Sequence, residues 1–396
     1  MACADAIWRR HIRSSESESD PTNLMKYVTQ IRPLEKHKIL TNPTFRQLHE
    51  VITHIGIVLR LDAWRIAVSQ RHPECLSLEE WVNTNPTWDE LVEIANELLK
   101  NFVALPDRAR DTRKDSSQRD QVFEMTKAYH KDFLLYEETN YSMNHGDIGR
   151  LDACLSQWVF YFMGCGKTKY AHEILHYLEN IYILYPKPLA DAVRINSLVN
   201  PTGRKDHFRG VDWVIEHNNL YIKRIFGGAG SNHTIHRMIE ASPLIEIYKD
   251  VREQFEKMFC LSHKTNRHAP PKMNLTFDKL RRYMEKYKTN VFTRGRKSEL
   301  ELMDTMQSGI IKLNKSVEET RQRWHAGHKR QEQLRLEVES KRKPSGVIRE
   351  FDPEDIAQDS EARGEVEPTQ LDDVDEEANQ MLETDDGGLF VDEIFE

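Results

Sequence analysis

The sequence predicts a mainly α-helical protein, made of a multi-helix globular body, a long C-terminal helix and a disordered acidic tail. Three observations carry this prediction. Apolar residues recur at steps of three and four through most of the first 260 positions, the period of one helical face. Alternating apolar and polar runs of strand length are missing, apart from room for short strands. From Arg349 to Glu396 the chain holds 19 Asp plus Glu against 2 Arg and few apolar residues, which gives no core to fold around.

The helices follow in chain order. Phe45, Leu48, Val51, Ile52, Ile55 and Leu59 share one face of a helix over 44–61, with Pro43 near its start. Trp88, Leu91, Val92, Ala95, Leu98, Leu99 and Phe102 repeat the pattern over 88–103. The stretch PDRARDTRKDSSQ, 106–118, has no apolar period and reads as a loop or hinge. Periodicity resumes from Val122 to Tyr136 and again from Ile148 to Phe162, where Asp147 is placed as the N-cap. A further face runs from Ile174 to Tyr182 and stops at Tyr185-Pro186-Lys187-Pro188, and Asn200-Pro201-Thr202-Gly203 is a turn. Val211, Val214, Ile215, Ile222 and Ile225 mark one helix, and Leu244 to Met258 another, opened by Pro243. Beyond Leu300 the apolar stripe thins into HAGHKRQEQLRLEVESKRK, a basic helix projecting from the body with 297–342 as a seam for a homodimer. The organisation expected is a lobe over 1–105, the hinge 106–118, a main helical domain 119–296, the projecting helix 297–343 and the tail 344–396.

Composition narrows the function classes. Five cysteines, at 3, 75, 154, 165 and 260, form neither a CxxC pair nor an even framework, which fits a reducing, intracellular setting. The N-terminus has no signal-peptide core and no apolar run reaches membrane-spanning length, so the expectation is a soluble protein, with a nuclear location open to it. The whole-chain net charge of −8 hides an asymmetry: the tail carries −17, which leaves +9 for residues 1–348. A basic body of this kind suits anion or nucleic-acid contact with the tail as internal competitor, or else a plainly solvated surface.

Several motifs invite chemistry. Gly164-Cys165-Gly166-Lys167-Thr168 resembles a phosphate loop, but Tyr161 stands where such a loop needs glycine and a helix, not a strand, runs into it. The sequence therefore assigns a helix C-cap, with no nucleotide there. His49-Glu50-Val51-Ile52-Thr53-His54 carries one residue too many for two ligands on one helical face. Cys260, His263 and His268 lack a fourth zinc ligand nearby. Asp212, Glu216, Asn219 and Lys223 fall on one polar stripe, and Asp212 with Glu216 is the candidate magnesium or manganese pair of a nuclease-like site, against an ordinary polar face answered by Lys223 or Arg224. Asp147 is a weaker catalytic candidate. Gly228, Gly230 and Ser231 form a loop able to hold an anion on exposed N–H groups. Residues 264–343 hold 21 Lys plus Arg against 10 Asp plus Glu, with Phe277, Tyr283, Tyr287 and Phe292 interleaved. Arg281, Arg282, Arg294, Arg296 and Lys297 are the candidate phosphate contacts, and the aromatics the candidate stacking platforms.

The runs GDIGRLD, GKTKYAHEILHYL, NSLVNPTGRKDHFRGVDWVIEHNNLYIKRIFGGAGSNHTI, ASPLIEIY and RHAPPKM together resemble the fungal family labelled domain of unknown function 6589, from about Ala2 to about Gln307. The resemblance implies no settled activity. It implies an origin in mobile elements and hence a transposase-like, nucleic-acid-associated ancestry. Longer relatives carry an upstream acidic GDxLT-like motif and a segment like FHLKMACADAIWR, whose internal methionine Met1 would match, so the chain is expected to be an N-terminally shortened member. His217 and Arg224 stand where the family pattern has an apolar pair, and Thr168 where histidine is common. The function expected is a non-catalytic module that contacts nucleic acid or a protein partner. The alternatives are a metal-dependent nuclease or transposase-like fragment and a coiled-coil scaffold.

Overall fold

The computed structural model describes residues 2–11, 20, 22–103, 117–226, 235–258, 273–298 and 304–319, with isolated helical positions at 322, 329 and 333. These residues are mainly helical, as the periodicity predicts. The loop candidates Gly228, Gly230 and Ser231, the triplet Cys260, His263 and His268, and the tail 344–396 lie outside the described residues.

The longest helix forms the axis of the body. Thr44 caps α4 (Phe45–Arg71) through a reciprocal capping box with Gln47, which satisfies two free N–H groups at the helix start. Its apolar positions spread around more than one face, so several helices close on it at once. They are α1 (Ala2–His11), α2 (Leu24–Ile31), α7 (Gln121–His145) and α14 (Met273–Tyr287), with the short α3 (Lys36–Thr41) beside α2. One apolar core draws Ile7, Tyr27, Val51, Ile55 and Leu59 together with Tyr129, Phe133, Trp158, Phe162, Leu280 and Met284. Residues before and after the 106–118 stretch thus share a single interior. α4 outruns its predicted end because Ala67 and Val68 enter a second, smaller cluster. Trp81 of α5 (Leu78–Val82) and Ile94 of α6 (Trp88–Phe102) complete it.

The second layer begins at α8 (Ile148–Cys165), which Asp147 caps by accepting the Arg150 N–H at 3.1 Å. The helix ends in a Schellman turn. Gly166 sits in the left-handed region at φ 80°, its N–H donates to the Met163 carbonyl, and Lys167 N–H donates to Phe162 at 2.9 Å. α9 (Thr168–Glu179) starts at once and runs into a π turn, Asn180–Leu184, closed by Tyr185 N–H on the Asn180 carbonyl at 2.8 Å. Pro186 and Pro188 end that segment as predicted, but they also open α10 (Lys187–Ser197), because proline fits the first helical turn without losing a bond. A two-residue antiparallel pair follows, β1 (Leu198–Val199) with β2 (Arg209–Gly210), around the expected turn in which Asn200 Oδ1 accepts the Gly203 N–H at 2.9 Å. α11 (Val211–Phe226), α12 (Ile235–Ala241) and α13 (Ile245–Met258) continue the chain.

The helix over 305–319, α15, lies against α8 at its start. Thr305 and Met306 are buried, and a Cβ on Gly309 would overlap the Phe160 carbonyl. A Cβ on Gly164 would likewise overlap the backbone of Thr305, so the two helices meet backbone to backbone. This contact is what Gly164 of the supposed phosphate loop serves.

Several buried acids are answered by named cations. Asp120, whose side chain is fully buried, caps α7 and receives Arg296 in a fork, Nε at 2.8 Å and Nη2 at 2.7 Å. The remaining Arg296 donors reach the carbonyls of Tyr287, Lys288 and Val291. Asp132 gathers His11 at 2.7 Å, Tyr161 at 3.1 Å and Arg10 at 3.3 Å. Asp152 accepts Tyr177, Tyr182 and Arg194, which ties α9, the π turn and α10 to α8.

Two stability outcomes are expected. Arg296→Met strands a buried carboxylate and lowers the unfolding free energy by about 3–5 kcal/mol, and Arg296→Lys does not restore it, because an ammonium cannot make the fork. Urea titration of the two variants checks this. Gly309→Ala costs about 1–3 kcal/mol by forcing α15 off α8, read as a lowered thermal midpoint, whereas Ala at exposed Gln307 or Lys315 shifts it far less.

Candidate functional site

α14 is amphipathic in a way that separates structure from surface. Its inner side presents Leu280 and Met284 to the core, with Phe277 edge-on to His54 at 5.9 Å and Tyr283 edge-on to Tyr27 at 5.9 Å. Its outer side carries Leu275, Lys279, Arg282 and Lys286, all exposed, at steps of four, three and four, so they stand in one line. Phe277 and Tyr283, proposed from the sequence as stacking platforms, are half-buried and packed against the core. Phe292 keeps the exposed position, 56% accessible, while its edge meets Phe123 at 5.9 Å.

The chain leaves α14 through a corner built to be rigid. Lys288 takes the left-handed conformation at φ 49°, and Thr289 N–H returns to the Met284 carbonyl at 3.3 Å. Asn290 turns inward: its Nδ2 donates to Asp62 at 2.8 Å and to the Leu59 carbonyl at 3.2 Å, and its Oδ1 accepts from His130 Nε2 at 2.8 Å. Arg296 then locks the following strand of chain onto Asp120, and Gly295 N–H donates to the Arg119 carbonyl at 2.9 Å. Lys288, Val291, Phe292, Arg294 and Lys297 are left exposed on this corner.

Over 273–298 there are eight Lys plus Arg and two acids. Both acids are already answered: Arg281 pairs with Asp278 at 3.7 Å and with Glu285 at 2.8 Å, and Arg65 also reaches Glu285 at 3.4 Å. Among the described residues no carboxylate pairs with Lys279, Arg282, Lys286, Lys288, Arg294 or Lys297. Lys279, Arg282 and Lys286 line one stripe of α14, and Lys288, Arg294 and Lys297 stand on the corner after it. Chemically this surface suits a polyanion, held by charge along its length rather than by a pocket.

The predicted contacts therefore divide. Arg282, Arg294 and Lys297 stand on the surface, Arg281 is engaged by its neighbours, and Arg296 has every donor placed in the clamp. Lys279, Lys286 and Lys288 are exposed beside them, and the spacing of Lys279, Arg282 and Lys286 puts these three on one stripe of the helical wheel. Lys223 and Arg224 lie on α11, with their side chains outside the described residues.

The acid pair is less developed. Asp212 and Glu216 are exposed on the first turns of α11. The buried carboxylate of Asp152 is held by two tyrosines and Arg194. Among the described residues no three His, Cys, Asp or Glu side chains cluster as a metal ion requires. His49 and His54 point to different neighbours, His49 Nδ1 to the Tyr136 hydroxyl at 2.9 Å and His54 to the Phe277 ring. Lys167 of the glycine motif pairs with Asp5 and lies over the Tyr170 ring at 5.4 Å. Among the described residues no helix is long and apolar enough to cross a membrane.

Burial pulls His49, His54 and His130 down to about pKa 4. In the unfolded chain these rings titrate near 6.5. Above that pH both states are neutral and stability is full; as pH falls from 6.5 toward 4, the unfolded chain takes up protons that the folded protein refuses. Stability is therefore expected to fall by on the order of 1–2 kcal/mol per ring by pH 5. Denaturant midpoints at pH 7.5 and 5.0 check this, and a midpoint unchanged between them contradicts it. Glu137, raised by burial, works in the opposite direction.

A model of a family of unknown function, DUF6589, matches residues 1–268, and the chain belongs to that family. No curated protein and no solved structure matches it.

Proposed function

We propose that this member of the DUF6589 family is a non-catalytic nucleic-acid-associated module, which holds a phosphate backbone along the outer face of α14 and the corner after it. One observation carries the reading: six exposed cations on a segment whose other two arginines are tied down by structure. A row of like charges destabilises its own helix unless an anion answers it. Here α14 is held by its buried face, so the row is tolerated and remains available. Phe292 offers one ring for an unpaired base. The fungal, mobile-element ancestry implied by the sequence resemblance fits such a role. Recognition by backbone charge without base-reading elements implies weak sequence preference.

Binding of single-stranded DNA is expected to weaken steeply with salt, with a log–log slope of about −4 for six contacts. In the triple variant Lys279→Ala, Arg282→Ala, Lys286→Ala the slope shrinks by about 2 units and affinity at low salt drops at least about tenfold. Fluorescence anisotropy at several salt concentrations reads both, with circular dichroism as the control for folding. A salt-independent signal, or a triple variant that binds like the parent, removes the proposal.

A further inference from the structure

The α14 surface is not only basic. Leu275 is 76% exposed, Phe292 56% and Val291 37%; Leu275 stands one helical turn before Lys279, and Val291 and Phe292 fall between Lys288 and Arg294 in the chain. A phosphate backbone gives Leu275 and Val291 nothing to bury against. An occupant that fills the whole surface must bring acidic and apolar groups together. The last twelve residues of this chain, DDGGLFVDEIFE, have that composition: Leu389, Phe390, Val391, Ile394 and Phe395 alternate with Asp385, Asp386, Asp392, Glu393 and Glu396, with no base among them.

We infer that the C-terminal segment 385–396 docks on the outer face of α14 and its corner, placing its apolar side chains on Leu275, Val291 and Phe292 and its carboxylates on the surrounding cations. The tether allows it. A random coil over the 52 residues from 333, the last described helical position, to 385 would have an r.m.s. span of roughly 40 Å. A compact body of about 300 residues has a radius of gyration of roughly 19 Å. The span therefore covers the body, and the segment is present at an effective concentration of about a millimolar, so a weak contact suffices to populate the docked state. One other apolar face is a poorer match in charge. α13 also exposes apolar residues, Ile247, Val251 and Phe255 among them, but 235–258 holds five acids against four bases.

The consequence rests on the proposed function: the docked segment and a nucleic acid compete for the same cations, so the tail restrains binding until an anion of higher charge density displaces it. The docking itself does not need nucleic acid, and that separates the two tests.

Zero-length carbodiimide cross-linking of the full chain, read by mass spectrometry, is expected to join carboxylates of 385–396 to Lys279, Lys286, Lys288 or Lys297. Lys187 and Lys205, with side chains 86% and 90% exposed, serve as the internal controls. The links fade at about 0.5 M salt and in the full-length variant Phe390→Ala, Phe395→Ala. Tail links spread as evenly over Lys187 and Lys205 as over α14, or links unchanged in that variant, overturn the inference. In parallel, the full-length variant Phe390→Ala, Asp392→Asn, Glu393→Gln, Phe395→Ala is expected to bind single-stranded DNA at least about tenfold tighter than the parent. Specific cross-links in a chain that binds no DNA uphold the docking and sink the proposed function. Salt-sensitive DNA binding without α14-specific cross-links does the reverse.

Discussion

The whole arrangement depends on the crowding of helices around α4. A 27-residue helix with apolar side chains on more than one face cannot be stable in water alone, and it is buried by α1, α2, α7 and α14 together. Dry packing on all sides brings charged groups inside with it, and each must be answered where it sits. Asp62 takes Arg65 and Asn290, Glu50 takes Arg32 and Arg46, Asp120 takes Arg296, and Asp132 takes Arg10 and His11. These pairs add little net stability compared with apolar packing, but each is costly to break, so they fix which helix meets which. They also decide function by subtraction: a cation holding a buried acid is not offered to a ligand.

Much of the fold was legible because long periodic segments report their own burial. The helices at α6, α8, α11 and α13 fall within a few residues of the spans read from apolar spacing, and the Asp147 cap and the Gly166 stop are where side-chain chemistry puts them. The short α2, α3 and α5 left too few turns for a period to show. The helix α10 was hidden by its own prolines, which mark an end and a beginning alike. The extra ten residues of α4 were lost because they turn toward a second core formed with residues twenty positions on, a contact no local window contains.

The surface was legible only in outline. Charge counting singles out 264–343 and cannot tell Arg282 from Arg281 or Lys297 from Arg296, because that depends on whether the cap of α7 or an acid of α14 itself lies within reach. The aromatics divide for a related reason: Phe277 and Tyr283 pack half-buried against the core on the same helix that presents the cations, while Phe292 stays exposed. The family match ends at residue 268, before α14 begins, yet Leu280 and Met284 are completely buried with Ile55 and Tyr27. The basic face is thus carried by the same core as the matched span.

The central claim is that α14 is fixed by its inner face and works through its outer one. Hydrogen–deuterium exchange of the full chain, with and without a single-stranded oligonucleotide, tests both halves at once. The account predicts that amides around Leu280 and Met284 exchange as slowly as those of Val51–Leu59 in the free protein, and that added oligonucleotide protects 286–298 while leaving 211–226 unchanged. Fast exchange throughout α14, or protection gathered on 211–226 instead, would contradict it.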